Sequence, residues 1–421
     1  MVSTRDQRAH SSFAALSRRD LAVLVPELLL CGQLIDRSGM AHLISAFGRA
    51  GMAEVAIEEW QASSPWYTQR MQRALGYEGD DVVTIFKGLQ LDIGAPPQFM
   101  DFRYRVDDPH HGEFWLDHCG ALMDVEPLGD EYVRSMCHDI EDPTFDATAL
   151  ATNVHAQVRP IHRPPRRPED RHPHCAWSVV IDPAHVPPTV EPHTEAIGRT
   201  VAVGVELSPI DLDDEGNADY SGPLLSDVRF ADFSRSALVR IAEEVCLQQH
   251  MLTLGFLAGV RKRTDEDSAL AITRKQLTGI AGLTSERIRN ALDLPVDLAG
   301  LATVLSVHPL FAPRQYVDRD IRFDGERLEV RIRRSGGAHL DGSWPVLVDG
   351  EHLEALNALV RGVDPHFTVR VVAEDADALV VEVFAAPVPA KECGEVAITR
   401  FSSGSGFTFA DRGIPLPLTV V

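Results

Sequence analysis

The sequence predicts an α+β protein made of two halves, in each of which helices come first and strands follow. Apolar residues recur at three- and four-residue spacing before residue 76 and again between residues 236 and 260, as in amphipathic helices. Short extended runs replace this period between residues 98 and 181 and after residue 328, which is typical of antiparallel strands. At 421 residues the chain also exceeds the size at which one core keeps growing, so two domains are expected.

The first half is predicted to contain N-terminal helices followed by a β-hairpin–helix–β-hairpin module. Apolar spacing, together with breaks at Gly39, Gly94 and Pro143, sets the bounds of these elements. The predicted elements are helices at 13–61 and 65–75, an extended segment at 82–91, a hairpin at 98–119, a helix at 130–136, a loop at 141–144, and strands at 154–161 and 175–181.

The second half is predicted to be another α+β domain, joined to the first by a connection rich in Pro, Asp and Gly. We place the domains at 1–190 and 231–421 and the connection at 191–230. The predicted elements are helices at 236–260, 274–280, 285–292 and 351–360 and strands at 201–207, 328–332, 346–348, 368–372 and 379–384. A degenerate duplication is left open, because both halves run helices first, although they share no motif.

The composition excludes several classes of partner. The formal charge of −22 repels the phosphate backbone of nucleic acids and the surface of anionic membranes. The longest apolar runs are about ten residues, roughly half of what a membrane-spanning helix needs. The N-terminus has no secretory pattern, and six cysteines in such a chain indicate reduced thiols. We therefore expect a cytoplasmic protein whose partner is a small-molecule substrate, with a homodimer left open.

Three cysteines each stand beside a histidine, which marks the segment between residues 118 and 175 as the candidate site. The pairs are His118-Cys119, Cys137-His138 and His174-Cys175. Thiolate and imidazole bind zinc and iron well, and they also form the nucleophile–base pair of thiol catalysis. One side chain from each pair would give three ligands and an open fourth position, as in a catalytic metal site.

The sequence therefore predicts a zinc or iron site with Cys119, Cys137 and Cys175 as ligands and His138 and His174 as substitutes. The spacings are long and lack a CxxC motif, so the pattern is less specific than that of a zinc ribbon. Two other interpretations stay open. One is thiol catalysis without a metal, and the other is plain packing, because free cysteines are among the most buried residues.

Charged residues near the cysteines complete the predicted site. Glu141 and Asp142 follow Cys137 closely and are candidates for a catalytic base, with turn and helix-cap chemistry as the alternative. Guanidinium groups bind carboxylates in a bidentate manner, so a basic segment in this acidic chain predicts an anion anchor. The predicted anchors are Arg159, His162, Arg163 and Arg166. The alternative is that these arginines pair with the protein's own surplus carboxylates.

The order of these cysteines resembles a known pattern. One Cys closes a strand, one lies at a helix end, and one opens a strand as Cys175-Ala176-Trp177-Ser178-Val179. Over residues 20–182 this resembles the vinyl-4-reductase-type small-molecule-binding domain and the L-2-amino-thiazoline-4-carboxylate hydrolase-like family. The resemblance implies an α+β module with a buried ligand pocket, metal at the cysteines and, in one branch, hydrolysis of a small heterocyclic amino acid. The added histidines, the Arg- and Pro-rich loop and the C-terminal half lie outside that pattern.

Together these observations predict a metal-dependent hydrolase or lyase acting on a small carboxylated substrate. In this hypothesis the metal polarises the substrate or activates water, and Glu141 or Asp142 acts as the base. The alternative is a non-catalytic small-molecule- or metal-sensing module. The sequence assigns no role to residues 231–421.

Overall fold

The computed structural model describes residues 11–190, 192–402, 406 and 414–419. Within them the protein is an α+β fold with two antiparallel four-stranded sheets and a long N-terminal helix, which confirms the predicted fold class.

In the first half, the elements are α1 (Arg18–Ala74), α2 (Val82–Leu89), β1 (Met100–Asp108), β2 (His111–Cys119), α3 (Gly120–Val125), α4 (Asp130–Arg134), a π-helix (Ser135–Ile140), α5 (Glu141–Leu150), β3 (Ala156–His162) and β4 (Cys175–Ile181). After them come α6 (Pro192–Ile197), α7 (Val201–Gly204), α8 (Arg235–Arg261), α9 (Glu266–Ala291), α10 (Leu298–Val307), β5 (Arg319–Phe323), β6 (Leu328–Arg333), α11 (Gly337–Leu340), α12 (Glu354–Arg361), β7 (Phe367–Glu374), β8 (Ala378–Ala385) and α13 (Gly394–Arg400).

Helix α1 begins with a capping box and bends once. The Ser17 hydroxyl accepts from the Asp20 amide at 3.1 Å, and the Asp20 carboxylate accepts from the Ser17 amide at 3.2 Å. The predicted break at Gly39 is wrong, because the bend is at Gly48, where φ is 72°. Gly39 stays helical and serves close packing instead, since a Cβ there would lie 2.7 Å from the Phe256 ring.

Two corrections concern segments that the sequence places outside helices. Residues 82–91 are predicted to be extended, but 82–89 form α2, whose N-terminus is capped by Asp81 accepting from the Thr84 amide at 2.8 Å. The predicted loop at 141–144 is the first turn of α5. The π-helix leads directly into α5, so the helical backbone continues through Pro143.

Both predicted hairpins of the first half are confirmed, and they pair with each other in the order β1-β2-β4-β3. Trp177 on β4 is fully buried and stacks on Phe114 of β2 with ring centroids 6.2 Å apart. Phe145 of α5 packs edge-on against the same indole at 4.9 Å. These three rings fix α5 against one face of the sheet.

The second sheet repeats the strand order of the first. Its order is β5-β6-β8-β7, again two hairpins joined through their second strands, with helices before the first hairpin and between the two. The two sheets thus share one topology, and the duplication that the sequence leaves open stays a prediction. Helix α8 packs most extensively against α1, and one continuous apolar core includes residues of both halves. The domain boundaries at 190 and 231 stay a prediction.

Several predicted elements of the second half are confirmed and several are wrong. The long helix at 236–260 and the strands near 328, 368 and 379 are present. The predicted strand at 201–207 begins as α7, and the strand at 346–348 is largely a 3₁₀ turn over Trp344–Leu347. The two helices predicted at 274–280 and 285–292 are one helix, α9. Sequence reasoning did not predict α10, β5 or α13.

Candidate functional site

A cavity of about 70 Å³ lies in the first half, where α1, the loop after α2, the sheet and α5 meet. One ordered water needs roughly 10–15 Å³, so this space suits a small molecule. Its polar lining consists of Gln33, Asp36, Asp92, Glu141, Thr144 and Thr148, and the rings of Trp60 and Phe145 contribute apolar walls. Three of these six polar side chains are carboxyl groups.

Asp36 lines the cavity and carries a buried carboxylate oxygen without a hydrogen-bond partner among the described residues. Its side chain is only 4% exposed, and its Oδ1 atom has no hydrogen-bond partner among the described residues. Burial raises the pKa of Asp36 to about 6, although Arg37 and a hydrogen bond from Trp60 act in the opposite direction. Glu59 is fully buried near Asp36, and both of its carboxyl oxygens lack a partner among the described residues. Burial, followed by repulsion from Asp36, raises the pKa of Glu59.

Asp92 is held rigidly in the opposite wall. One of its oxygens accepts from the Tyr67 hydroxyl at 3.0 Å and from the Gly94 amide at 2.7 Å. Burial nevertheless raises the pKa of Asp92 to about 6. Gly94 allows this turn to press against the indole, since a Cβ there would lie 3.2 Å from the Trp60 ring.

Glu141 is the predicted catalytic residue that the structure places in the cavity wall. Burial of its carboxyl group, followed by repulsion from Asp142, raises the pKa of Glu141 to about 8, against a smaller lowering by Arg163. The π-helix that precedes Glu141 carries Met136 and Ile140 into the same wall. Such π segments are frequent at functional sites. Asp142, the second predicted base, forms an ion pair with Arg163 instead.

The three thiols predicted to converge are all buried, and Glu141 acts electrostatically on each of them. Glu141 raises the pKa of Cys119, Cys137 and Cys175, and Cys119 and Cys175 both act on Cys137. Burial is the largest cause in each case and raises the pKa of Cys119 to about 12. The thiols therefore hold their protons at neutral pH, and they lie behind Glu141 rather than in the cavity lining.

A β-bulge explains how Cys119 and Cys175 come to the same face. Cys175 lies opposite Leu116, and strict alternation would turn Cys119 to the other side of the sheet. The register shifts between Asp101 and Phe102, which pair with His118 and Leu116, so Asp117 is the extra residue. Asp117 is exposed and Cys119 is buried. The Cys119 sulfur then accepts from the Leu122 amide at 3.4 Å and caps α3.

The predicted substitute ligands do not join the thiols. His174 lies against His118 and His172, with ring centroids 6.1 and 5.1 Å apart. Burial, and then Arg166, lowers the pKa of His174 to about 4, so this imidazole is neutral at pH 7. His138 lies with its Nε2 atom 2.7 Å from the Pro164 carbonyl oxygen.

Within the described ranges, no group of three or more His, Cys, Asp or Glu side chains could hold a metal ion. The zinc or iron site that the sequence predicts therefore stays a prediction.

The predicted substrate anchors are engaged by the protein's own carboxylates. Arg166 donates to Glu126 at 2.8 and 2.9 Å, and Arg159 donates to Asp146 at 2.8 and 2.9 Å. Arg163 is paired with Asp142 as described above. His162 is partly exposed, and burial followed by Arg171 lowers its pKa. These pairs match the alternative interpretation of the basic segment, and anion binding by these residues stays a prediction.

Sequence reasoning missed Asp36, Glu59, Asp92 and Trp60 as site residues. A signal for two of them exists, because Asp36 and Glu59 each lie at helical spacing on an otherwise buried stripe of α1. An acidic residue at such a position is rarely buried without a role. Asp92 gives no comparable signal, since it follows a helix in an irregular turn.

A larger groove of about 690 Å³ lies in the second half between α9, α12 and α13. Its walls carry both signs of charge, and Arg400 there is already paired with Glu286 and Glu392. The smaller cavity is therefore the better-defined site.

Comparison with family models, with characterised proteins and with solved structures found no match for this chain. The resemblance to the vinyl-4-reductase-type domain and the thiazoline-carboxylate hydrolase-like family stays a prediction. Among the described helices, none has both the length and the apolar character needed to cross a membrane.

Proposed function

We propose that the first half of the protein binds a small molecule in this cavity and acts on it as a hydrolase or lyase. The observation that carries the proposal is Glu141, a carboxyl group in the cavity wall whose pKa is raised to about 8. A catalytic acid or base works best when its pKa lies near the working pH. Strongly perturbed carboxyl groups in clefts are typical of active sites.

In this proposal Glu141 donates its proton to a leaving group or carbonyl oxygen of the bound substrate and then recovers a proton from water or from the product. At pH 7 the group is mostly protonated, so the acid role comes first. Asp142 stabilises the position of α5 through Arg163 rather than acting on the substrate. The proposal replaces the predicted carboxylated substrate with an uncharged or cationic one, because the polar lining is acidic.

A non-catalytic binding module is the second candidate, and the state of the thiols favours it. Burial holds Cys119, Cys137 and Cys175 in the protonated form, so no activated sulfur nucleophile stands near the cavity. Such a module would bind its ligand without converting it.

Binding is tested with a small-molecule library by native mass spectrometry and thermal shift. Thr148→Leu places a larger side chain in the cavity wall and is expected to abolish binding of any true ligand. Thr303→Leu is a matched control, because each threonine hydroxyl donates to the carbonyl four residues earlier at 3.2 Å. Equal binding by both variants and the unchanged protein would contradict the proposed site.

Catalysis is tested by following each bound compound by NMR over time. For an enzyme, Glu141→Gln should retain binding and lose conversion by about a hundredfold or more, since general acid–base catalysis contributes roughly 10²–10⁴-fold. Conversion by Glu141→Gln at the unchanged rate would exclude the assigned role. Binding without conversion by the unchanged protein would select the non-catalytic module.

A further inference from the structure

We propose that the cavity selects a small organic cation, such as an amidinium or a protonated amine, which Asp36 and Asp92 bind. This inference rests on the proposed binding site and specifies the chemistry of its ligand.

The first support is an unsatisfied acceptor. Asp36 is 4% exposed, lines the cavity and keeps its Oδ1 atom without a hydrogen-bond partner among the described residues. A buried carboxylate oxygen without a partner loses its hydration and gains no hydrogen bond in return, which is unfavourable. A ligand N–H donor placed in the cavity would satisfy this oxygen.

The second support is that the nearby cations of the protein are engaged elsewhere. Arg37 pairs with Asp124 at 2.9 Å, and Arg163 pairs with Asp142. Arg37 only partly offsets the burial of Asp36, whose pKa still rises to about 6. The acidic wall therefore has an excess of negative charge once its carboxyl groups ionise, and a bound cation would neutralise it.

The third support is the aromatic wall. Trp60 lines the cavity beside Asp36, and Phe145 lines it beside Glu141. Aromatic ring faces attract cations, with Trp the most effective. Carboxylate and indole together suit an amidinium or ammonium group, whereas an anion at pH 7 would meet repulsion from the ionised Asp36 and Asp92.

Proton release on binding follows from the protonation of Asp36 and Asp92 before a ligand binds. Burial raises the pKa of both Asp36 and Asp92 to about 6, so each is largely protonated at pH 5 and largely ionised at pH 7. The charged or titratable groups around them are Arg37, Glu59, Tyr67, Tyr77, Asp124, Glu141 and Arg163. A cation that needs one ionised carboxylate should bind about tenfold more tightly at pH 7 than at pH 5, and one that needs both about a hundredfold.

The test compares three probes of the same shape and different charge. Acetamidinium, acetamide and acetate are titrated into the full-length protein by calorimetry and by NMR. At pH 7 we expect acetamidinium to bind at least about tenfold more tightly than acetamide and acetate not to bind. Calorimetry in buffers of different ionisation enthalpy counts the protons released, and at pH 6 we expect release of about half a proton or more per acetamidinium bound.

Variants locate the effect. Asp36→Asn keeps the shape of the side chain and should remove the preference for acetamidinium over acetamide, whereas Asp139→Asn, exposed and outside the cavity lining, should leave it unchanged. Equal binding of acetamidinium and acetamide, abolished by Thr148→Leu, would overturn the cation inference and leave the proposed binding site intact. Acetamidinium binding that is insensitive to both Thr148→Leu and Asp36→Asn would overturn both.

Discussion

The buried carboxyl group of Glu141 should make the stability of the protein depend on pH in an unusual direction. A glutamate in the unfolded chain has a pKa of about 4.5, whereas burial raises the folded-state pKa of Glu141 to about 8. Between these values the folded protein holds a proton that the unfolded chain has lost. The contribution of Glu141 to the free energy of unfolding is therefore fully present below pH 4.5 and falls as the pH rises to 8.

The size of the effect follows from the two pKa values. Each pKa unit corresponds to about 1.4 kcal/mol, so the full cost at pH 8 is at most about 5 kcal/mol, and at pH 5 it is under about 1 kcal/mol. Glu141→Gln removes the titrating group and keeps the size of the side chain. Because the residue as a whole is partly exposed, we expect less than the full effect. From pH 5 to pH 8, the free energy of unfolding of Glu141→Gln should rise by about 2–4 kcal/mol relative to that of the unchanged protein.

Urea denaturation followed by circular dichroism at pH 5 and pH 8 measures this difference. Any change in the free energy of unfolding that the glutamine amide itself causes is the same at both pH values and cancels in the comparison. Asp139→Asn is the neighbouring control, since this exposed carboxylate lies outside the cavity lining and its loss should change the stability by about 0.5 kcal/mol or less. Parallel stability curves for Glu141→Gln and the unchanged protein from pH 5 to pH 8 would refute the assignment of a buried, protonated Glu141.

Three further predictions concern packing and thiol reactivity. Cys393 is the least buried of the six cysteines, so iodoacetamide at pH 8 should label it first in the native protein. Peptide mass spectrometry identifies the labelled residue, and earlier labelling of a cysteine near Glu141 would contradict this prediction. Arg70 forms a buried ion pair with Glu244 at 2.8 Å, so Arg70→Ala should lower the free energy of unfolding by about 3–5 kcal/mol. In the same urea titrations, Arg261→Ala, which removes an exposed ion pair, should lower it by less than about 1 kcal/mol. Trp177→Ala should cost about 3–5 kcal/mol in the same assay because the ring is fully buried, and a loss below about 1 kcal/mol would contradict the packing described.

The sequence predicted the strands of the first sheet better than the boundaries of the helices. The hairpins of that sheet have short-range signals, namely alternating runs and a turn such as Asp107–Gly112, and these were sufficient, whereas β5 of the second sheet was missed. The segment Val82–Leu91 was misassigned because β-branched and aromatic residues in a short apolar run suit a strand as well as a buried helix. The cap at Asp81 was the available signal for a helix.

For the candidate site, the sequence predicted Glu141 and the burial of three thiols but not the acidic cavity. Adjacent Cys and His residues were visible in the sequence, whereas the carboxyl groups come from positions more than fifty residues apart, such as Asp36 and Asp92. The bulge at Asp117, which turns Cys119 inward, depends on pairing with β1 and has no local signature. The ion pairs of the arginines were foreseen only as an alternative.

The repeated strand order has a consequence for how this protein holds together. At the positions of Cys119 and Cys175, the second sheet ends β6 with Arg333 and starts β8 with Ala378, so the chemistry of the first unit has no counterpart there. The second unit instead supplies α8, which covers α1, much as one subunit covers another in a symmetric pair. Because a single polypeptide links the two units, their union is intramolecular and does not weaken on dilution. Residues of the second unit can therefore differ at these positions while the first unit keeps its cavity, with the protonated Glu141 in the wall.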